Sequence, residues 1–193
     1  MKLCSLERPS KEQVLVFLRS LDGVKLSYRE ARATQGDFPA GYQHDFHRVQ
    51  LGVGPETFQR ACEAIRLWKM FPKSWMDLIP KPAAIVEGQM VAVVAHTFGV
   101  WWLNACRIVY VVDTTTPTHR FGFAYGTVIH AECGEERFLV EMLEDGSVWY
   151  DLRAFSRPQH WLVRLAYPLA RRLQKRFAID SLQSMRVAVS GRE

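Results

Sequence analysis

Residues 121 to 128 read FGFAYGTV. In an extended chain successive side chains point to opposite faces. Phe121, Phe123 and Tyr125 then share one face, and Gly122, Ala124 and Gly126 share the other. Aromatic side chains gain most from burial, so their face is expected inward. The opposite face is almost bare and lets a sheet bend strongly, as a curved, half-closed sheet requires. One segment thus predicts a curved sheet with an aromatic interior.

The period of two continues on both sides. EGQMVAVVAHTF, VWWLNACRIVYVV, ERFLVEML and SVWYDLRAF read as further strands between about residues 85 and 155. The last two are joined by Glu144-Asp145-Gly146-Ser147, a tight-hairpin signal. Phe138, Val140 and Met142 form the next inward set, then Val148, Tyr150, Leu152 and Ala154. Upstream, Ser10 is expected to cap a helix to about Ser20, with Val14, Phe17, Leu18 and Leu21 on one side. VKLSYRE (24–30) and HRVQLG (47–52) read as short strands around the loop GDFPAGYQ. Pro55 opens a helix carrying Phe58, Ala61, Cys62 and Ile65 at helical spacing, and MFPKSWMDLIPKP ends it.

After Phe155 the pattern turns helical almost to the end. A closing helix is expected over 156–187, with Pro158 in its first turn and Pro168 kinking or dividing it. Helices gathered on one face of an antiparallel sheet make the fold class α+β. The expected organisation is one domain over 1–193, with residues 1–22 as an N-terminal helical extension.

Of the 193 residues, 48% are apolar, which supplies a real core and excludes chain-wide disorder. A net charge of +5 is too modest to name a partner without position. No apolar run reaches the ~18 residues that span a bilayer. The start, MKLCSLERPSKEQ, has no apolar stretch of signal-peptide type. Cys4, Cys62, Cys106 and Cys133 are scattered without a C-x-x-C pair, which points to reduced thiols and a cytoplasmic protein.

Several short motifs invite a chemical reading. His130-Ala131-Glu132 spells the opening half of the zinc deaminase signature, which needs a downstream P-C-x-x-C pair to complete the ligand set. Only Cys133 follows, so that chemistry is excluded. VIHAECGEE (128–136) is instead the end of one strand and the turn into the next. His44-Asp45-Phe46-His47 groups two imidazoles and a carboxylate, but on a loop or strand edge rather than a helical H-E-x-x-H, and no metal or cofactor is expected. Leu51-Gly52-Val53-Gly54 has Thr57 where a dinucleotide fingerprint needs its third glycine, so it reads as a strand-to-helix turn.

Arg107 shares a strand face with Ala105, Val109 and Val111, where a charge must be paired or wet. Glu136 has the parity of Phe138 and Val140, so it points inward with them. The two are candidates to orient a ligand's polar end or to move a proton. The alternative places Arg107 in solvent or in a structural ion pair. The closing helix carries Arg157, Arg164, Arg171, Arg172, Lys175 and Arg176 on one side, with Leu162, Leu165, Ala166, Leu169, Leu173 and Phe177 on the other. Its apolar side closes the interior. Its basic side meets water or, through Arg164, Arg171, Arg172 and Lys175, anionic lipid headgroups. No nucleic-acid motif accompanies the basic stripe, which argues against RNA or DNA.

GFAYGT (122–127), GEERF (134–138), AFSRP (154–158) and WLVRLAYPLARRLQKR (161–176) resemble an uncharacterised family, domain of unknown function nineteen-ninety. LGVGPETFQRACEAIRLW (51–68), GQMVAV (88–93) and CRIVYVVD (106–113) fit its pattern too. The resemblance implies the START-like, or helix-grip, superfamily: a curved antiparallel sheet wrapped around a long C-terminal helix, with an apolar cavity between. It implies no reaction. On that fold the chain is expected to bind a hydrophobic or amphipathic small molecule, such as a lipid. The candidate cavity residues are Trp101, Trp102, Arg107, Phe123, Tyr125, Glu136, Phe138, Tyr150, Leu169 and Leu173. Two other readings stay open: a cyclase- or hydrolase-type enzyme using Arg107, Glu136 and His96 or Tyr125, and a peripheral membrane or partner-binding module using the basic helix. A filled core in place of a cavity stays open as well, and so does the oligomeric state.

Overall fold

The aromatic face of FGFAYGTV does turn inward. In a computed structural model that describes residues 3–191, the chain runs β1 (Cys4–Ser5), α1 (Lys11–Ser20), β2 (Gln43–Val53), α2 (Pro55–Arg66), β3 (Met76–Ile79), β4 (Met90–Thr97), β5 (Val100–Thr114), β6 (His119–Ile129), β7 (Glu132–Met142), β8 (Ser147–Pro158), α3 (Trp161–Leu165) and α4 (Tyr167–Ser190). The strands form one antiparallel sheet in the order β2-β8-β7-β6-β5-β4-β3, and β1 pairs with the first part of β5. Consecutive strands from β3 to β8 are neighbours, as short hairpins dictate. β2 crosses over to close the far edge against β8.

Three devices bend the sheet. Register shifts interrupt the β5–β6 pairing at Ala105/Cys106 and Ile108/Tyr110, and a third lies between Gln50 and Gly52 of β2. Such bulges coil a strand pair locally. At Gly122 an added Cβ would stand 2.1 Å from the carbonyl oxygen of Phe138, so only glycine lets β7 pass that closely.

The concave face carries Ile108, Phe121, Phe123, Tyr125, Phe138, Val140, Val148, Tyr150 and Leu152, packed against Ala61, Cys62 and Ile65 of α2 and Phe177, Ala178, Met185 and Val189 of α4. This is the inward set that strand parity predicts. The convex face is also covered. Val14, Phe17, Leu18 and Leu21 pack on Ala92, Val94, Leu103, Ala105 and Val128. The helices are therefore not all on one face: α1 sits on the side opposite α2 and α4. Its start is the predicted one, with Ser10 and Gln13 forming a reciprocal capping box.

Four local expectations are corrected. Residues 24–30 form no strand; they lie along the outer face, where Ser27 N–H donates to Thr127 O at 2.8 Å. The phenol of Tyr28 occupies the space beside Gly126 and donates to Glu135 Oε2 at 2.7 Å, so the bare glycine face is filled by another part of the chain. MDLI, inside the proline-rich break, forms edge strand β3. The closing helix does not begin at 156. β8 continues to Pro158, paired with Glu132, and the helical segment starts at Trp161. It is then divided at Ala166, just before Pro168, because proline lacks the N–H that a continuous helix needs.

Candidate functional site

The segment that follows α2 fills one end of the concave face with large side chains. Trp68 meets Phe123 at 4.6 Å between ring centroids, and Phe71 meets Phe138 at 5.7 Å. Toward α3 and the start of α4 the facing residues are small: Ala95, Ala154, Ala166 and Ala170. The sheet and helix do not touch there, and a cavity of about 430 Å³ remains. That lies within the range of small-molecule sites, roughly 300–1,000 Å³. Its walls are mainly apolar, with Trp102 and Val93 on the sheet side and Leu162, Leu169, Leu173 and Phe177 on the helix side.

Five of the ten candidate residues border this space: Trp102, Tyr125, Glu136, Leu169 and Leu173. Phe123, Phe138 and Tyr150 also face the interior, but in its filled part. The Phe123 and Phe138 rings meet at a tilt with centroids 5.4 Å apart, and the Tyr150 hydroxyl lies 2.9 Å from Ser181 Oγ. Trp101 and Arg107 are placed on the wrong side by the sequence reading. Trp101 stacks on His96 at 4.3 Å on the convex face, under the cation of Arg8. Arg107 donates to Leu21 O at 3.4 Å, among the last carbonyls of α1. β5 is buried on both faces, with Cys106 and Ile108 in the main interior on one and Leu103 and Ala105 under α1 on the other, so apolar neighbours did not reveal which face holds the cavity. Arg107 and His96 therefore drop out of any enzymatic set.

Glu136 sits where the parity predicted. Tyr125 donates its hydroxyl to Glu136 Oε2 at 2.7 Å. The carboxyl meets the cavity and is shielded from bulk water by protein. Burial pushes it up to about 7, partly offset by the Tyr125 bond, with Asp45 and Glu132 adding like charge. The same burial, with the Glu136 charge, raises the Tyr125 phenol well above its ordinary value.

A polar cluster at the β2 side of the cavity was not legible in the sequence. Arg171 of α4 clasps Asp45 of β2 through two bonds of 2.6 and 2.7 Å. It also donates to Gln174, whose amide donates to Glu132 and, at 3.0 Å, to Ser156 Oγ. Burial raises Glu132, while Gln174 and Arg171 pull it back. His130 borders the cavity and accepts the Glu132 backbone N–H on Nδ1 at 3.0 Å. Burial pushes its ring down to about 4, so it is neutral and carries its proton on Nε2. The His44–His47 run lies on edge strand β2, the strand-edge alternative of the two. His44 contacts Pro39 O, while Asp45 and His47 face the cavity. Among the described residues no group of three or more His, Cys, Asp or Glu side chains is placed to hold a metal.

The basic face is smaller than the sequence suggested, because Arg171 is half-buried in its pair with Asp45. Arg164, Arg172 and Lys175 are exposed. All four cysteines are free thiols, and burial raises Cys62 and Cys106. Among the described residues no helix is long and apolar enough to cross a membrane.

Solved structures share this architecture at low identity. A protein of Thermus thermophilus matches with a TM-score of 0.53 and 15% identity, over 77% of this chain and 98% of its own. The Zhui aromatase/cyclase from a Streptomyces species matches with a TM-score of 0.50 and 12% identity, over 78% and 95%. Together with the order of elements, these likenesses make the fold a helix grip. Relatives in sequence are closer. A UPF0548 protein of Dictyostelium discoideum is 36% identical over 164 residues, 80% of this chain and 76% of that one. Another, of Deinococcus radiodurans, is 35% identical over 187 residues, 90% and 92%. The family model described as "Domain of unknown function (DUF1990)" matches residues 27–184, and the chain belongs to that family.

Proposed function

We propose that this protein binds a hydrophobic or amphipathic small molecule between its sheet and its C-terminal helices. The observation that carries the reading is the 430 Å³ space with apolar walls and a buried Tyr125–Glu136 pair. Burying a carboxyl in an apolar wall costs stability that a filled core would avoid. A ligand's polar end gives that carboxyl a purpose. Native mass spectrometry of the purified chain tests this: a bound organic molecule released on unfolding is expected. A chain that is empty, and that takes up no apolar probe, would sink the reading.

Two further readings rest on particular observations. An enzyme of cyclase or hydrolase type on this scaffold would use Glu136 and Tyr125, since a carboxyl pushed up to about 7 at the wall of a cavity suits proton transfer. Membrane docking is favoured by the rim of the cavity. Phe98 (71% exposed), Trp161 (65%) and Leu165 (79%) stand in water beside cavity-lining residues, and Arg164 lies between the last two. We place the protein in the cytosol, where four unpaired thiols stay reduced.

A further inference from the structure

The cavity is lined by carboxyl groups with no lysine or arginine among the described residues. Asp45, Glu132, Glu135 and Glu136 border it, with the Glu135 carboxylate turned away to Tyr28 and Thr34, and the basic side chains at its walls are the imidazoles of His47 and His130. Asp45 is already matched, because Arg171 clasps both its oxygens from outside the cavity. Glu132 has the neutral amide of Gln174. Glu136 has the neutral phenol of Tyr125 on Oε2, and among the described residues its Oε1 has no hydrogen-bond partner. His130 is held neutral, so it supplies no cation.

This arrangement discriminates between ligand ends. A carboxylate or phosphate would add negative charge where the carboxyls of Asp45, Glu132 and Glu136 stand against the one guanidinium of Arg171, and like charges at close range repel. A hydroxyl would give Glu136 Oε1 one neutral bond. An ammonium group would supply both the missing donor and the missing charge, which is the condition under which a buried carboxylate is stable. We infer that the cavity is specific for an apolar molecule ending in a protonated amine, seated against Glu136 Oε1 with its hydrocarbon body along Trp102, Leu169 and Leu173. This rests on the carrier reading above and names the ligand class for it. The value near 7 for Glu136 agrees, since little is needed to ionise it beside a cation.

Decylamine, decanol and decanoate share one chain length and differ at the end group. Their affinities for the full chain are measured by calorimetry at about pH 8, where the amine and the acid are both charged. Decylamine is expected to bind roughly tenfold tighter than decanol, a gap of one well-formed charged contact, with decanoate weakest. Glu136→Gln keeps the shape and removes the charge. It should bring decylamine within about threefold of decanol, and an unchanged circular-dichroism spectrum with a cooperative thermal transition shows that the variant is folded. Decanoate binding as tightly as decylamine would overturn the inference. So would an amine preference that survives Glu136→Gln, or a ketone of equal length that matches the amine, which would make Glu136 a protonated donor. Equal binding of all probes overturns this specificity and leaves the carrier reading standing. Binding of none removes both.

Discussion

Glu136 and His130 are buried titratable groups that push stability in opposite directions with pH. Glu136 titrates at 4.5 in its ordinary environment and near 7 in the fold, so between those values the native state binds the extra proton. Its contribution is fully present below 4.5 and is lost as pH rises through 7. His130 moves from 6.5 to about 4, so there the unfolded state binds the extra proton, and stability rises with pH across that window. Each shift corresponds to roughly 3 kcal/mol, so in the wild type the two nearly cancel. Glu136→Gln should unmask the histidine, giving a protein that gains roughly 3 kcal/mol between about pH 4 and 7. His130→Asn should unmask the carboxyl and lose a similar amount over the same range. Urea unfolding at several pH values measures both slopes. Identical slopes in the two variants would show that these groups are not buried as placed. Parity made Glu136 legible, because a charged residue stood in register with Phe138 and Val140. His130 was legible only as half of a failed zinc motif. Its burial comes from the tight β6–β7 connection and from the cavity beneath it.

The elements around the cavity rim show where local sequence disagrees with local structure. The β4–β5 hairpin turns on Phe98 and Gly99, both with positive φ (52° and 74°). A two-residue turn of this kind prefers Asn-Gly, and a bulky aromatic at its first position is strained. α3, with the sequence Trp161-Leu162-Val163-Arg164-Leu165, is apolar on both sides: Leu162 and Val163 line the cavity, and Trp161 and Leu165 face water. Neither feature helps folding, and both fit insertion into a lipid surface. Phe98→Asn should therefore stabilise the fold by about 1 kcal/mol, the cost of an unfavourable left-handed residue. It should also weaken binding to vesicles containing phosphatidylserine by roughly tenfold, within the value of burying one phenyl ring. Thermal unfolding and vesicle sedimentation read the two effects. Loss of stability, or unchanged sedimentation, would count against the docking reading. The Arg171–Asp45 clasp joins residues 126 apart in sequence. It explains why the basic stripe expected along α4 loses one of its members to the interior edge.

For the whole molecule the decisive property is that the interior is filled at one end and hollow at the other. This predicts opposite signs for one kind of substitution. Enlarging a side chain in a filled core costs about 1–3 kcal/mol through strain. Ala170→Leu projects into the cavity from α4, and leucine suits a helix nearly as well as alanine. It should raise stability by about 1–2 kcal/mol, at about 0.8 kcal/mol per newly buried methylene, and abolish uptake of apolar probes. A drop in melting temperature would mean that the interior is already full.

The sequence by itself determined strands β4 to β8, the inward faces of β6 to β8, the starts of α1 and α2 and the break before Pro168. Each of these rests on periodicity or on backbone chemistry within a few residues, such as the Ser10–Gln13 box or the missing proline N–H. Only the tertiary structure decided that Arg107 and Trp101 face α1, that Tyr28 fills the space beside Gly126, and that Asp45 meets Arg171. The physical reason is that a central strand buried on both faces alternates between two apolar environments. Its pattern does not say which of them is packed by a helix and which is left open by four alanines.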